Sequence, residues 1–213
     1  MVPMTGPRIY GGRSGDDRMA ERRTKFVAAG LELMGTKGVA ATTLRGVATL
    51  SGVAARYFAE SFASIEDLHV AVFNEIAAEI EAQGLAAIAA TPGGPKAQAR
   101  AALGAVTDLL LDDRRKGRIV LIESGSSPAL GPRRLAEGIR FGTLISMAAT
   151  NAASAELLDI KLTAQFVNSG VAGVLISVLT GEIDIDRDYL VDRLTDLLFI
   201  TINTAPAPLR SSP

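Results

Sequence analysis

Thr42-Thr43-Leu44-Arg45-Gly46-Val47-Ala48-Thr49-Leu50-Ser51-Gly52-Val53-Ala54-Ala55-Arg56-Tyr57-Phe58-Ala59-Glu60-Ser61-Phe62 reads as two short helices joined by a tight turn. Leu44, Val47 and Ala48 recur at helical spacing behind a threonine that can cap a helix, so the first helix runs to about Leu50. Gly52 stops it, because glycine tolerates the left-handed backbone of a tight turn, and it lies four residues after the small Ala48. Val53 and Phe58 pin the second helix to the first. Ala54, Ala55, Arg56, Tyr57 and Ala59 are then left near the outside, one arginine and one tyrosine among alanines that let the backbone approach a groove closely. This is a helix-turn-helix pattern.

Composition agrees with a nucleic-acid reader on a separate body. The 213 residues are 48 % hydrophobic and include no cysteine, so packing alone holds the core and a disulfide framework is excluded. The net charge is −1, but it is unevenly spread. Up to Tyr57 there are nine basic residues against four acidic ones, a balance of +5, which leaves −6 for the remainder. Phosphate attraction is thereby supplied where contact with a polyanion would be made.

The first fifteen residues, with Pro3, Gly6, Pro7, Gly11, Gly12 and Gly15, are too broken for a signal peptide or a membrane span. Later apolar runs such as Val171 to Leu179 fall short of a bilayer helix, so the expectation is a soluble, cytoplasmic protein with no membrane partner. Residues 1–15 are expected to form a flexible arm; Arg8, Arg13 and Arg18 either lie in an adjacent minor groove or belong to a solvated tail.

The pattern is helical throughout, and the expected fold class is all-α. A first helix should start near Asp16 or Asp17 and run through Met34, with Phe26, Ala29, Gly30, Leu33 and Met34 as its apolar stripe and Gly35 and Gly38 ending it. Ser64 and Asp67 stand in capping-box spacing ahead of a long helix to about Ala90, whose buried face includes Leu68, Val72, Phe73, Ile76 and Ile80. Thr91-Pro92-Gly93-Gly94-Pro95 breaks it. Further helices are expected over 97–115, 116–124, 128–150, 155–180 and 186–203. The helix around Phe166 to Leu179 is apolar nearly all round, with Gly170 and Gly173 in its middle. Each glycine weakens it by about 1 kcal/mol but permits close helix packing.

The run from Arg22 through Gly38 into Thr42–Phe62 and on to Glu60-Ser61-Phe62-Ala63-Ser64-Ile65-Glu66-Asp67-Leu68 resembles the DNA-binding domain of the tetracycline-repressor (TetR) family of bacterial transcription regulators. The resemblance covers roughly residues 20 to 70, about a quarter of the chain. It implies an N-terminal three-helix helix-turn-helix domain over 16–63, a helical regulatory and dimerisation domain over 64–205, and a tail over 206–213. DNA-binding residues would be Thr42, Thr43, Arg45, Ala54, Ala55, Arg56 and Tyr57, with the basic side of the first helix (Arg22, Arg23, Lys25) near the phosphate backbone. The sequence departs from the family at Ala54, where a Ser or Thr is usual, at Ala59, where a Tyr is usual, and at Ile65 in place of Lys. Arg56, Tyr57, Thr43 and Arg45 would have to carry more of the binding.

The resemblance also implies that the last two helices make a homodimer interface, here through Phe166, Gly170, Gly173, Val174, Leu190, Leu194, Leu197 and Leu198. The helices before them would enclose an effector pocket of several hundred Å3, with Leu110, Arg114, Ile122, Phe141, Ile145, Met147 and Phe166 as candidate walls and Arg140 and Arg114 as its charges. The expected effector is mostly apolar and neutral or weakly anionic.

Catalysis lacks its parts. His69 is the only histidine and cysteine is absent, so a His/Cys metal site or a histidine-based triad is not available, and no cofactor is expected. His69 reads as a first-turn surface residue of the long helix. Asp184, Asp186 and Asp188 lie where a helix cap is due and lack the glycine and glutamate of a calcium loop. The sequence thus reads as a non-enzymatic regulator, a repressor binding a double-stranded, pseudo-palindromic operator as a homodimer and released by a small molecule. The alternative from another class is a helical ligand-binding or scaffold protein with little DNA-binding activity.

Overall fold

The computed structural model describes residues 15–149 and 157–203, apart from the side chains at 141, 143–149, 157–161 and 202–203. The expected N-terminal arm up to residue 14, with Arg8 and Arg13, and the expected tail over 206–213 lie outside the described residues. Among the described residues the chain is helix and connecting turn, with no strand. It divides into two compact units, Met1–Val72 and Phe73–Pro213, so the division falls inside the long helix rather than at its start.

The first unit holds α1 (Gly15–Lys37), α2 (Leu44–Ser51), a 3-10 turn (Ala55–Glu60) and the opening of α3 (Ile65–Ala90). α1 runs three residues past Met34. Gly35 is buried inside it rather than ending it, and Gly38 (φ 91°) terminates it by donating its N–H to the Met34 carbonyl at 3.1 Å. α2 is capped as its sequence requires: the Thr43 hydroxyl accepts from the Gly46 N–H at 3.2 Å, and Gly52 leaves the helix at φ 67°.

The expected second α-helix is instead a six-residue 3-10 turn. Ala54 offers no side-chain acceptor, and the ends are tightened by i→i+3 bonds from the Tyr57 N–H to the Ala54 carbonyl (3.0 Å) and from the Ser61 N–H to the Phe58 carbonyl (2.9 Å). So short a turn cannot hold itself. Phe58 anchors it against Phe26, ring centroids 5.3 Å apart and edge-on, and Phe62 closes the cluster 5.3 Å from Phe58. Each such ring contributes about 1.5–3 kcal/mol by leaving water. α3 then starts where Ser64 accepts from the Asp67 N–H at 3.1 Å. It crosses α1 so closely that a Cβ on Gly30 would come within 2.9 Å of Val72.

The second unit continues α3 and adds α4 (Pro95–Asp112), α5 (Arg114–Gly117), a π-helical segment (Arg118–Glu123), α6 (Ser124–Ser126), α7 (Gly131–Ala149), α8 (Leu157–Thr180) and α9 (Arg187–Asn203). Asp113 interrupts the first expected helix there: its backbone leaves helical geometry and its carboxylate accepts from the Arg115 N–H at 3.1 Å. Asp186 caps α9 through the Tyr189 N–H at 2.9 Å. α7 and α8 lie nearly backbone to backbone, since a Cβ on Gly142 would sit 2.8 Å from the Ala164 carbonyl oxygen. α4 and α9 are joined along one side by ion pairs: Lys96 to Asp196 (2.8 Å), Arg100 to Asp192 (2.5 Å) and Arg187 to Asp112 (2.6 Å). These pairs are mostly exposed and individually worth little; the rotation of α9 follows from burying Leu190, Val191, Leu194 and Leu198, with which the pairs are consistent.

That rotation corrects an expectation. Leu190, Leu194 and Leu198 are buried within the protomer's own core, so this part of the stripe is not an exposed interface. The apolar run of α8 extends beyond the expected Val171 to Leu179: Leu162–Thr180, 19 residues of mean hydropathy 1.6, has by length and composition alone what a bilayer helix needs, as the core helix of a soluble protein also can.

Replacing Phe26 by Ala should lower the unfolding free energy by about 3–5 kcal/mol in urea denaturation, because the ring fills the space shared by Phe58 and Phe62. An effect below 1 kcal/mol would mean the 3-10 turn is held by something else.

Candidate nucleic-acid interface and effector cavity

On the first unit, Thr43, Arg45, Ala54, Ala55 and Arg56 are all exposed and Tyr57 is half-buried. Thr42 is corrected: it is 4 % exposed and its hydroxyl donates to the Gly38 carbonyl at 2.9 Å, so it packs the turn. Arg56 reaches the Tyr57 hydroxyl at 3.2 Å and stacks on the same ring, 4.8 Å from its centroid. Arg22, from α1, lies 4.6 Å from that ring and also pairs with Glu60. Two guanidinium groups thus share one tyrosine. Arg23 stacks on Phe62 at 4.5 Å and Lys25 pairs with Glu21 at 2.9 Å. The basic side of α1 therefore braces the short helices, a role that charge counting along the sequence could not assign.

The second unit contains a cavity of about 140 Å3, smaller than the several hundred Å3 expected. Its apolar walls include Phe73, Ile80, Leu103, Leu110, Val171 and Leu175. Of the expected walls, Leu110 is present. Arg114 is engaged elsewhere, donating to the Leu179 carbonyl, while Ile122 and Phe166 are exposed and absent from the lining. The side chains of Phe141, Ile145 and Met147 lie outside the described residues.

The π-helical segment supplies Val120 and Leu121 to the cavity. Its wider turn stacks residues five apart, and Arg118 duly bonds Glu123 at 3.0 Å. Gly117 admits this arrangement, since a Cβ there would strike the Leu110 carbonyl of α4. Arg140 lines the cavity as expected, but it is fully engaged by Glu81 (2.7 and 3.0 Å) and Glu137 (2.9 Å). Those bonds hold the Glu81 carboxyl below its ordinary range.

Outside the cavity, α8 and α9 each carry an exposed stripe: Leu162, Phe166, Gly170 and Gly173 on one, Tyr189, Leu197 and Ile200 on the other. Phe166 is 70 % exposed, and a Cβ added at Gly170 or Gly173 would meet nothing within 4 Å. Val174 is half-buried beside them.

No family model and no curated relative matches this sequence. Solved structures do. The regulator FadR from Bacillus subtilis, solved in complex with stearoyl-CoA, superposes with a TM-score of 0.71 at 17 % identity, covering 83 % of this chain and 97 % of that one. The fatty acid degradation regulator FadR from Bacillus halodurans gives 0.70 at 14 %, covering 84 % and 94 %. A TetR-family transcriptional regulator from Syntrophomonas wolfei gives 0.70 at 14 %, covering 91 % and 99 %. This chain has the fold of the TetR-family and FadR-like transcriptional regulators. At these identities the likeness is one of fold, an N-terminal helix-turn-helix unit followed by a helical unit.

In this fold His69 is buried, 5 % exposed, and not the surface residue its place in the first turn of α3 suggested. It hydrogen-bonds the Thr42 backbone, its Nε2 has no partner, and burial pushes the imidazole below its ordinary value of 6.5 against the weaker pull of Glu66. The unfolded chain therefore takes up a proton that the folded one refuses. Stability conferred by the neutral ring is complete above pH 6.5 and declines as pH falls below it, by at most about 1.4 kcal/mol per pH unit, until the folded-state value is reached. Urea titrations of wild type and His69→Gln between pH 7.5 and 5 should show the slope in wild type alone. Equal slopes would place the titrating group elsewhere.

Proposed function

We propose that this protein is a DNA-binding transcriptional regulator, a repressor that holds a pseudo-palindromic double-stranded operator as a homodimer and is released by a small, mostly apolar effector. The observation that carries the reading is the exposed row Thr43, Arg45, Ala54, Ala55 and Arg56 on either side of the left-handed turn at Gly52. A helix N-terminus, two arginines and small residues that allow close approach are what a major groove and its phosphates require. The exposed stripes of α8 and α9 support the homodimer, since a soluble protomer rarely leaves so much contiguous apolar surface to water. Two readers related by a two-fold axis would then meet half-sites about 34–36 Å apart or a multiple of it.

The cavity supports the effector, and the B. subtilis regulator of the same fold, solved with stearoyl-CoA, supports reading this chain as ligand-responsive. Release requires the effector to bind the DNA-free conformation more tightly, because equal affinity for both shifts nothing. No reaction is assigned to the protein.

Retardation of the DNA upstream of its own coding region, with affinity falling steeply as salt rises, tests the first half of the proposal. Arg56→Ala should weaken that complex by about 1–3 kcal/mol and relax one base position. Unchanged affinity and selectivity would put Arg56 off the DNA. For assembly, Phe166→Glu should yield a folded monomer in sedimentation, whereas Leu194→Glu should unfold the second unit because Leu194 is core. A folded, dimeric Phe166→Glu variant would move the interface away from α8.

A further inference from the structure

Five polar side chains reach the cavity of the second unit: Glu81, Arg134, Glu137, Arg140 and Asn168. Three of them satisfy one another. Arg140 spends its guanidinium on both carboxylates, on the two oxygens of Glu81 (2.7 and 3.0 Å) and on Oε2 of Glu137 (2.9 and 2.7 Å), so the charge of both acids is already opposed by a cation. The other two, Arg134 and Asn168, have no side-chain hydrogen bond or ion pair among the described residues.

Both line the same cavity. Arg134 precedes Gly138 by one turn of α7, and the Asn168 amide lies directly over Gly138, where any Cβ would collide with it. The cavity is thereby offered a fork of cationic N–H donors and an amide N–H donor at the rim of an apolar space. The group that complements this pair is a carboxylate, which accepts two parallel bonds from one arginine and a third from the amide. The four charges at the rim cancel, so an incoming anion meets no net repulsion there.

Size narrows the ligand further. An apolar cavity of about 150 Å3 accommodates benzene, and the space here, which opens to the surface, measures about 140 Å3. One ring or a short branched chain fills it, whereas most of a long acyl chain would lie outside it. We infer that the cavity binds a small apolar carboxylic acid, its ring or branched chain among Phe73, Leu110 and Leu175 and its carboxylate on Arg134 and Asn168. This rests on the reading of the second unit as the effector-binding part of the regulator and fixes the chemical class of that effector.

The test is calorimetric titration of the full chain with phenylacetate, its neutral counterpart 2-phenylethanol, the cation phenethylamine, and palmitate. Phenylacetate should bind at least about tenfold more tightly than 2-phenylethanol, since a hydrogen bond to a charged group is worth about 1.5–3 kcal/mol. Arg134→Gln should remove that preference while leaving 2-phenylethanol unaffected, and Arg134→Lys should restore part of it. Asn168→Ala, an independent variant should Arg134→Gln fold poorly by circular dichroism, should weaken phenylacetate severalfold. Absence of phenylacetate binding, equal binding of the alcohol, tighter binding of the amine or of palmitate, or an acid preference that survives Arg134→Gln would each overturn the inference.

Parallel retardation assays separate this from the broader reading. If phenylacetate binds through Arg134 but leaves DNA affinity unchanged, the ligand class stands and ligand-controlled release falls. If palmitate or 2-phenylethanol releases DNA while phenylacetate does not bind, release stands and the acid class falls.

Discussion

A six-residue 3-10 turn has too few internal hydrogen bonds to persist in water, and the presentation of the first unit depends on the rings that hold it. Phe58 lies within the turn, Phe62 two residues beyond it, and Phe26 on α1, with centroids 5.3–6.5 Å apart. Arg22 precedes Phe26 by one helical turn and so shares its face of α1. It reaches over the buried rings to Glu60 and Tyr57, which in turn receives Arg56. Core packing and outward display are therefore one arrangement. The side of α1 that buries Phe26 also fixes the last polar residue of the turn, so disturbing the rings disturbs the arginine on the far side of them.

Much of this was legible in the sequence because the controlling residues act locally. A threonine cap, a glycine that must turn left-handed, and a serine three residues ahead of an acid each act within one turn of helix, and each is found doing so at Thr43, Gly52 and Ser64. What was not legible is what covers an apolar face once it has been recognised. Leu190, Leu194, Leu197 and Leu198 share one stripe by periodicity, yet Leu197 is 52 % exposed and its neighbours are core. Which leucines α9 buries depends on packing against distant elements such as α4, whose ion pairs to α9 join residues nearly a hundred apart. His69 misled for the same reason: first-turn residues of a long helix usually face water, but the Thr42 turn folds over this one.

The cavity follows from a departure from helical regularity that no propensity scale marks. Arg118–Glu123 reads as ordinary helix in composition. It is wound as a π segment because Gly117 can sit against the Leu110 carbonyl and because Arg118 and Glu123, five residues apart, pair in that geometry. The wider turn aims Val120 and Leu121 at the space that α7 and α8 leave beside α3. The expected walls were chosen as large apolar residues on the expected helices. Ile122 and Phe166 lie on the outer side; for Phe166 the reason is that α8 meets Gly138 and Gly142 of α7 through Asn168 and Ala164, on another face of the helix.

The exposed stripe of α8 admits three kinds of cover, and the helix itself discriminates among them. A bilayer would need apolar surface all round, but one side of α8 carries Asn168 into a polar-rimmed cavity and another lies against α7. Among the described residues nothing covers the stripe, with open space at Gly170 and Gly173. A second copy, the partner proposed above, would fit for a geometric reason. A two-fold contact must be self-complementary, each residue i touching j while j touches i. Leu162 and Phe166 are knobs, and the glycines one and two turns later are holes on the same face. Two such helices crossing antiparallel would set each Phe166 over the partner's glycines, so that bulk and gap on one helix would complement the same features on its copy.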